Sequence, residues 1–242
     1  MRIPRVLQDG DYQPGEQVNL EKRASQHLIK VLRYREGDAI ILFNGKGKSF
    51  NATIAHATAD STSVTVGEDA GENTESSLRL HLVMALSKGD RMDYAIQKAV
   101  EAGVNQITPV ISQHSVVRLD EKRKKSRLQH WQGIVVHACE QSGRTHLAQI
   151  NPVLNLNKAI ASLSAATRLI LDPLASRTLH DIQASNDVIL LVGPEGGFDQ
   201  SEVSMATGAG YETIKLGPRV FRTETACVAA CVALQTLWGD LA

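Results

Sequence analysis

Two short segments of this 242-residue chain gather residue types suited to chemistry. The first, Gly193-Pro194-Glu195-Gly196-Gly197-Phe198, lets main chain approach a ligand closely and offers N–H groups ahead of a helix that should start near Gln200. Taken alone it reads equally well as a tight strand-to-helix turn. The second, LGPRVFRTETA (216–226), sets Arg219 and Arg222 beside Glu224, between an apolar strand and a small-residue helix. A turn with no other task needs no such cluster, although Thr223 or Thr225 would serve to cap the helix. Both segments follow an apolar run that ends in a residue-Pro step, and so does a third: LILDP (169–173), ILLVGP (189–194) and TIKLGP (213–218). Proline fixes φ and removes a ladder N–H, so the chain leaves the sheet at each of these points. In a parallel sheet such loops meet at the C-terminal edge, where α/β proteins place their ligands, so the three should form one pocket.

The elements that would position this pocket occupy the last two thirds of the chain. LRLHLVMAL (78–86) reads as a strand, Asp90 can cap a helix running to Ala102, Gly103 stops it, and QITPVI (106–111) is the next strand. Long helical patterns over 122–141 and 223–238 complete an open, mostly parallel sheet flanked by helices. The part before it differs. Short β-type runs recur at 17–20, 38–43, 49–55 and 63–66, with Asn44-Gly45 as a hairpin signal and one helical stretch at 21–33. A small β-barrel with a helix fits. EDAGENTESS (68–77), acidic and without apolar periodicity, separates the two patterns. The expected domains are therefore 1–70 and 78–242, joined by a linker at 71–77.

Hydrophobic residues at 43% and charged residues at 21% describe an ordinary folded protein rather than a disordered or fibrous one. No segment approaches the roughly 18 uninterrupted apolar residues of a membrane span and no leader is evident, which predicts a cytoplasmic protein. Cys139, Cys227 and Cys231 are odd in number and form no CxxC pair, so they read as reduced, buried thiols; no metal site is expected. Other glycine-based readings fail. A Walker A loop would need glycine where Leu42 stands, no GxGxxG follows a strand, and neither a Ser/His/Asp set nor HExxH is present. The net charge of zero excludes a uniformly basic nucleic-acid binder, but residues 1–50 hold nine Lys or Arg against six acids.

MRIPR at the start, QKAVEAG (97–103) followed by ITPV, ACEQSGR (138–144), LLVGPEGGF (190–198) and LGPRVFRTETA together resemble the ribosomal RNA small subunit methyltransferase E family, in the SPOUT class of knotted methyltransferases. The likeness spans the whole chain, and QKAVEAG departs from the commoner family pattern only at Ala102. It implies an N-terminal PUA-like β-barrel and a C-terminal α/β domain tied in a deep trefoil knot, a topology that periodicity could not have suggested. It implies a homodimer that methylates N3 of a uridine in 16S rRNA, free or in the small ribosomal subunit. It further implies S-adenosylmethionine held by Leu171, Asp172 and Pro173, by Val192, Gly193, Pro194, Gly196 and Gly197, and by Leu216, Gly217, Val220, Phe221, Thr223, Thr225 and Ala226.

A uridine N3 keeps its proton at neutral pH, so methylating it calls for a proton acceptor and for a cation near the base oxygens. Glu195 and Glu224 are the candidate carboxylates, Arg222 and Arg219 the candidate cations. Arg2, Arg5, His27, Lys30, Arg33 and Arg35 are the candidate RNA contacts of the first domain. Lys122 and Arg123, in the run RLDEKRKKSR (118–127), are those of the second. With four Phe and four Tyr in the chain, phosphate contacts should outweigh base stacking. Two other functions remain open: a knotted methyltransferase acting on another RNA base or a ribose, and an RNA-binding ribosome-assembly factor without catalysis.

Overall fold

The computed structural model describes residues 3–71, 73–115 and 119–241. The chain divides into two compact units, Met1–Glu75 with Cys139–Leu147, and Ser76–Ala138 with Ala148–Ala242.

The first unit is built on a five-stranded sheet of β1 (Arg5–Leu7), β2 (Gln17–Asn19), β3 (Ala39–Phe43), β4 (Ser49–Ala57) and β5 (Thr62–Asp69), in the order β1-β3-β4-β5-β2. Only the β1–β3 pair is parallel. Alternation along β4 and β5 turns Phe50, Ala52, Ile54, Val64 and Val66 inward, where they meet Val6, Leu28, Ile40 and Leu42. The expected hairpin tip is present: Asn44 Oδ1 accepts from the N–H groups of Lys46 and Lys48 at 2.9 and 3.1 Å. The helix α1 (Lys22–Gln26) is shorter than its sequence pattern, because it widens into a π-helical turn over His27–Val31 in which Leu32 N–H reaches back to His27 O. Arg33 then adopts φ 61°, the left-handed conformation, which ends the helix. β5 runs on to Asp69, whose neighbour Ala70 donates to Ser49 O, so Glu68 and Asp69 belong to the sheet rather than to a linker.

The returning segment Cys139–Leu147 is stapled to this unit by Glu75. Its carboxylate accepts from Arg144 at 2.6 Å and from the N–H groups of Thr145 and His146. Burial pushes the Glu75 carboxyl up, but the hydrogen bonds and charge of Arg144 outweigh it and hold the group below its ordinary value.

The second unit carries a wholly parallel sheet of β6 (Arg79–Ala85), β7 (Gln106–Ile111), β8 (Gln149–Ile150), β9 (Leu154–Asn155), β10 (Thr167–Leu171), β11 (Asp187–Val192) and β12 (Glu212–Ile214). Its order is β12-β10-β11-β6-β7-β8, with β9 also on β7. Among the described residues the crossovers and the last segment hold the helices α2 (Asp90–Glu101), α3 (Glu121–Ser142, its last turn in the first unit), α4 (Leu156–Ser162), α5 (Gln200–Gly208) and α6 (Thr223–Trp238). Covered on both faces, β6 and β11 are near-continuous apolar runs, as buried parallel strands require. α2 packs on α6, whose buried Gln235 joins Ser76 Oγ to the carbonyl of Gly103.

Asp90 is not the cap of α2. Gly89 holds that position at φ 44°, and Asp90 and Asp93 lie in the first turn, where carboxylates complement the helix dipole. Gly103 ends the helix at φ 84° as its sequence position suggests. The three cysteines are free and buried, with burial pushing the Cys231 thiol up to about 12. Among the described residues no three His, Cys, Asp or Glu side chains cluster as a metal site requires, and no helix is long and apolar enough to cross a membrane.

Candidate active site

The strands β12, β10 and β11 are neighbours, and their register sets their ends level: Leu171 lies opposite Ile214, and Ile170 opposite Leu191. The three residue-Pro loops therefore leave the sheet side by side. The first two are held by hydrogen bonds. In the first, Asp172 N–H donates to Ile214 O at 2.9 Å and Asp172 Oδ1 accepts from Leu174 N–H at 2.8 Å. In the second, Gly197 N–H closes a turn on Pro194 O at 2.8 Å, and a Cβ on Gly193 would stand 3.2 Å from the Phe198 ring. That loop hands over to α5 through a reciprocal cap, with Asp199 accepting from Ser201 N–H and buried Glu202 accepting from Asp199 N–H. The hydrogen bonds from Ser201 hold the Asp199 carboxyl below its ordinary value.

The loops enclose a cleft of about 300 Å³, lined by Leu171 to Leu174, by Val192 to Phe198, and by Val203, Val220, Phe221, Thr223 and Ala226. A smaller hollow of about 60 Å³ continues beneath the third loop, adding Ile214 to Gly217 and Arg219. Every residue expected from the sequence to hold the cofactor lines one of these spaces except Thr225, which is exposed on α6. Neither Thr223 nor Thr225 caps that helix; Arg222 occupies the capping position and its carbonyl accepts from Ala226 N–H at 2.8 Å.

The charged candidates separate. Glu195 is committed to an ion pair with Arg91 at 2.9 Å. Glu224, in the first turn of α6, has a buried Oε2 with no hydrogen-bond partner among the described residues. Arg219 and Arg222 are exposed. A second cavity of about 350 Å³, lined in part by Arg79, His81, Asn105 and Asp187, opens at the opposite edge, where β6, β7 and β11 begin. It is larger but wrongly placed: parallel sheets bind ligands where their strands end. His81 there bonds Thr108 Oγ1 at 2.7 Å, and burial lowers its pKa to about 4.

Residues 74–235 match the model of an RNA methyltransferase domain, and residues 20–66 that of an RNA methyltransferase PUA domain. The ribosomal RNA small subunit methyltransferase E of Buchnera aphidicola subsp. Schizaphis graminum is 34% identical, over 99% of this chain and 98% of its own. The chain belongs to that family. The Neisseria gonorrhoeae methyltransferase E, solved bound to S-adenosyl methionine, superposes with a TM-score of 0.94 at 37% identity, with both chains covered in full. A Legionella pneumophila protein solved with S-adenosylmethionine as its bound cofactor gives a TM-score of 0.97 at 38% identity, again over both whole chains.

In this methyltransferase the RNA candidates fare unequally. Lys30, Arg33, Arg35, Lys122 and Arg123 are exposed, Arg123 lying 3.6 Å from Asp120, and His27 is half-buried. Arg5 must be withdrawn: it is 7% exposed, with its guanidinium 5.5 Å from the centre of the Phe43 ring, and cannot reach a phosphate. Arg2 lies outside the described residues. The sequence reading missed Leu174, Phe198 and Val203 in the cleft wall, which only the folded loops reveal. It also missed Arg91 and His114, which reach the second loop from the segments that follow β6 and β7; strand order, not any motif, brings them there.

Proposed function

We propose that the protein methylates N3 of a uridine in 16S rRNA, taking the methyl group from S-adenosylmethionine, and that it works as a cytoplasmic homodimer whose three loops form the family's knot. The observation that carries this reading is the convergence of Leu171–Leu174, the 193–198 loop and the 216–226 loop on one cleft. The cleft suits that cofactor. Leu171, Pro173, Val192, Phe221 and Ala226 offer apolar walls for an adenine ring, main-chain groups of the loops can pair with its edge, and no protein atom lies within 4 Å of where a Gly197 Cβ would stand. When bound, the cofactor supplies a methyl group on positively charged sulfur, whose S–C bond breaks with its electron pair left on sulfur as the N3–C bond forms.

The protein's part is to align the two atoms, which can supply as much as about 7 to 11 kcal/mol, and to take the N3 proton. Glu224, whose Oε2 has no hydrogen-bond partner among the described residues, is assigned that proton; Glu195 is paired with Arg91. Arg219 and Arg222, exposed at the lip of the cleft, and Lys30, Arg33, Arg35, Lys122 and Arg123 are assigned to the RNA, with His27 at the edge of the first group. The homodimer is supported by exposed large apolar side chains: at the lip of the cleft Leu174 is 89% and Val220 78% exposed in the single chain, and further along α6 Val232 and Leu237 are each 40% exposed.

Mass spectrometry of 16S rRNA from cells with and without the gene tests the reading. Loss of one N3-methyluridine is expected; an unchanged methylation pattern refutes it.

A further inference from the structure

In the sheet order β10-β11-β6-β7, the strand that bears the 193–198 loop has the cofactor loops' strands on one side and β6 and β7 on the other. The ends of β6 and β7 reach the same edge without lining the cleft, and the segment after each sends one basic side chain onto the loop. Arg91, in the first turn of α2, sets Nη1 2.9 Å from Glu195 Oε1. His114, in the turn after β7, sets Nδ1 3.3 Å from the Gly197 carbonyl oxygen, and a Cβ on Gly196 would lie 3.4 Å from its own Cβ. A carbonyl only accepts, so Nδ1 carries the proton of this bond and Nε2 has no partner among the described residues. Neither contact is needed to shape the loop, which closes on its own Gly197-to-Pro194 hydrogen bond. An exposed ion pair adds at most about 1 kcal/mol of stability. Glu195 lines the cofactor cleft, so its ion pair brings Arg91 to the rim of that cleft, and His114 meets the next residues of the same loop.

We propose that Arg91, held by Glu195, is the cation that meets the methyl-accepting base, with His114 beside it on the same wall. This rests on the methyltransferase reading above. A guanidinium presents five N–H donors in a rigid fork, and Glu195 engages one nitrogen, which leaves donors for the imide oxygen on which negative charge grows as N3 gives up its proton. Electrostatic stabilisation works through groups fixed before the reaction, and Arg91 is held by Glu195 whereas Arg219 and Arg222 have no ion pair among the described residues. Glu195 is then a positioning residue that acts through Arg91.

Cofactor affinity by calorimetry, and single-turnover methyl transfer to small ribosomal subunits from cells lacking the enzyme, are to be measured across pH for wild type, Arg91→Ala, Arg91→Lys, Glu195→Gln and the Arg91→Ala/Glu195→Gln pair. Arg91→Ala should bind S-adenosylmethionine as wild type does and lose about 100-fold in rate at neutral pH. Its rate should climb at higher pH than that of wild type, because the imide must ionise without the cation. Arg91→Lys should recover part of both effects, and Glu195→Gln should shift the profile the same way and add nothing in the double variant. A wild-type rate and pH profile in Arg91→Ala, loss of cofactor binding in both Arg91 variants, or additive effects in the double variant would each overturn the assignment. Wild type that neither binds the cofactor nor methylates the subunits refutes the methyltransferase reading instead.

Discussion

Replacing Gly197 by alanine should lower stability and cofactor affinity through two separable effects. The backbone at Gly197 has φ 73°, where an L-residue costs roughly 1–2 kcal/mol. A Cβ built there meets no atom within 4 Å, so no steric clash adds to that strain. For a chain of this length the melting temperature should fall by about 2–8 °C. Gly197 also lines the cleft, so affinity should drop at least tenfold, about 1.4 kcal/mol. Gly196→Ala is the control. Gly196 lies outside the left-handed region and its Cβ would make an ordinary 3.4 Å contact with His114, so stability should stay near wild type. Valine at 197 should be worse than alanine, since a β-branched residue at positive φ is a genuine outlier. Thermal melts with and without S-adenosylmethionine, and titration calorimetry, read both effects. Normal melting and affinity in Gly197→Ala, or a larger loss of stability in Gly196→Ala, would refute the argument.

His81, neutral in the fold with a pKa lowered by burial from 6.5 to about 4, takes up a proton on unfolding. Stability should therefore fall as pH drops from 6.5 towards 4, by up to about 3 kcal/mol at 1.36 kcal/mol per pH unit, and urea melts of His81→Gln should show a flatter slope. Arg33→Ala with Arg35→Ala should weaken binding to 16S rRNA and reduce its salt dependence while leaving cofactor affinity intact; an unchanged salt slope would remove the first unit as the RNA clamp. Light scattering at low micromolar concentration should show a dimer, and Val220→Asp should shift it towards monomer; an active wild-type monomer would refute the shared site.

The architecture of the second unit was legible because its signals are local. Proline at three strand ends, glycine after α2 and apolar runs of strand length mark the elements, and level strand ends do the rest. What escaped depends on partners far along the chain. β1 is three residues long and exists by pairing with β3, and Glu68 and Asp69 look like linker until β4 claims them. Arg5 reads as an RNA contact until the Phe43 ring is found beneath it. The segment Cys139–Leu147 gives no hint in its composition that Glu75 will bind it to the first unit. Arg91 and His114 belong to neither glycine-rich motif, and only the order β11-β6-β7 brings them to the site.

The glycines of the 193–198 loop suggest flexibility, yet the folded loop is held from several directions. The missing Cβ of Gly193 admits the Phe198 ring, and Gly197 takes a conformation few other residues tolerate. Downstream, buried Glu202 accepts from Asp199 N–H at 2.9 Å and from Gln113 N–H at 2.8 Å, so one carboxylate ties the start of α5 to the turn that carries His114. The loop residues that line the cleft and the side chains that meet them from α2 and the turn after β7 are thus coupled through covalent neighbours and a single buried carboxylate. Methyl transfer needs two atoms aligned within a fraction of an ångström, and a loop free to move would forfeit the advantage that alignment brings. Glycine here supplies space and a rare φ, while the surrounding bonds supply the rigidity.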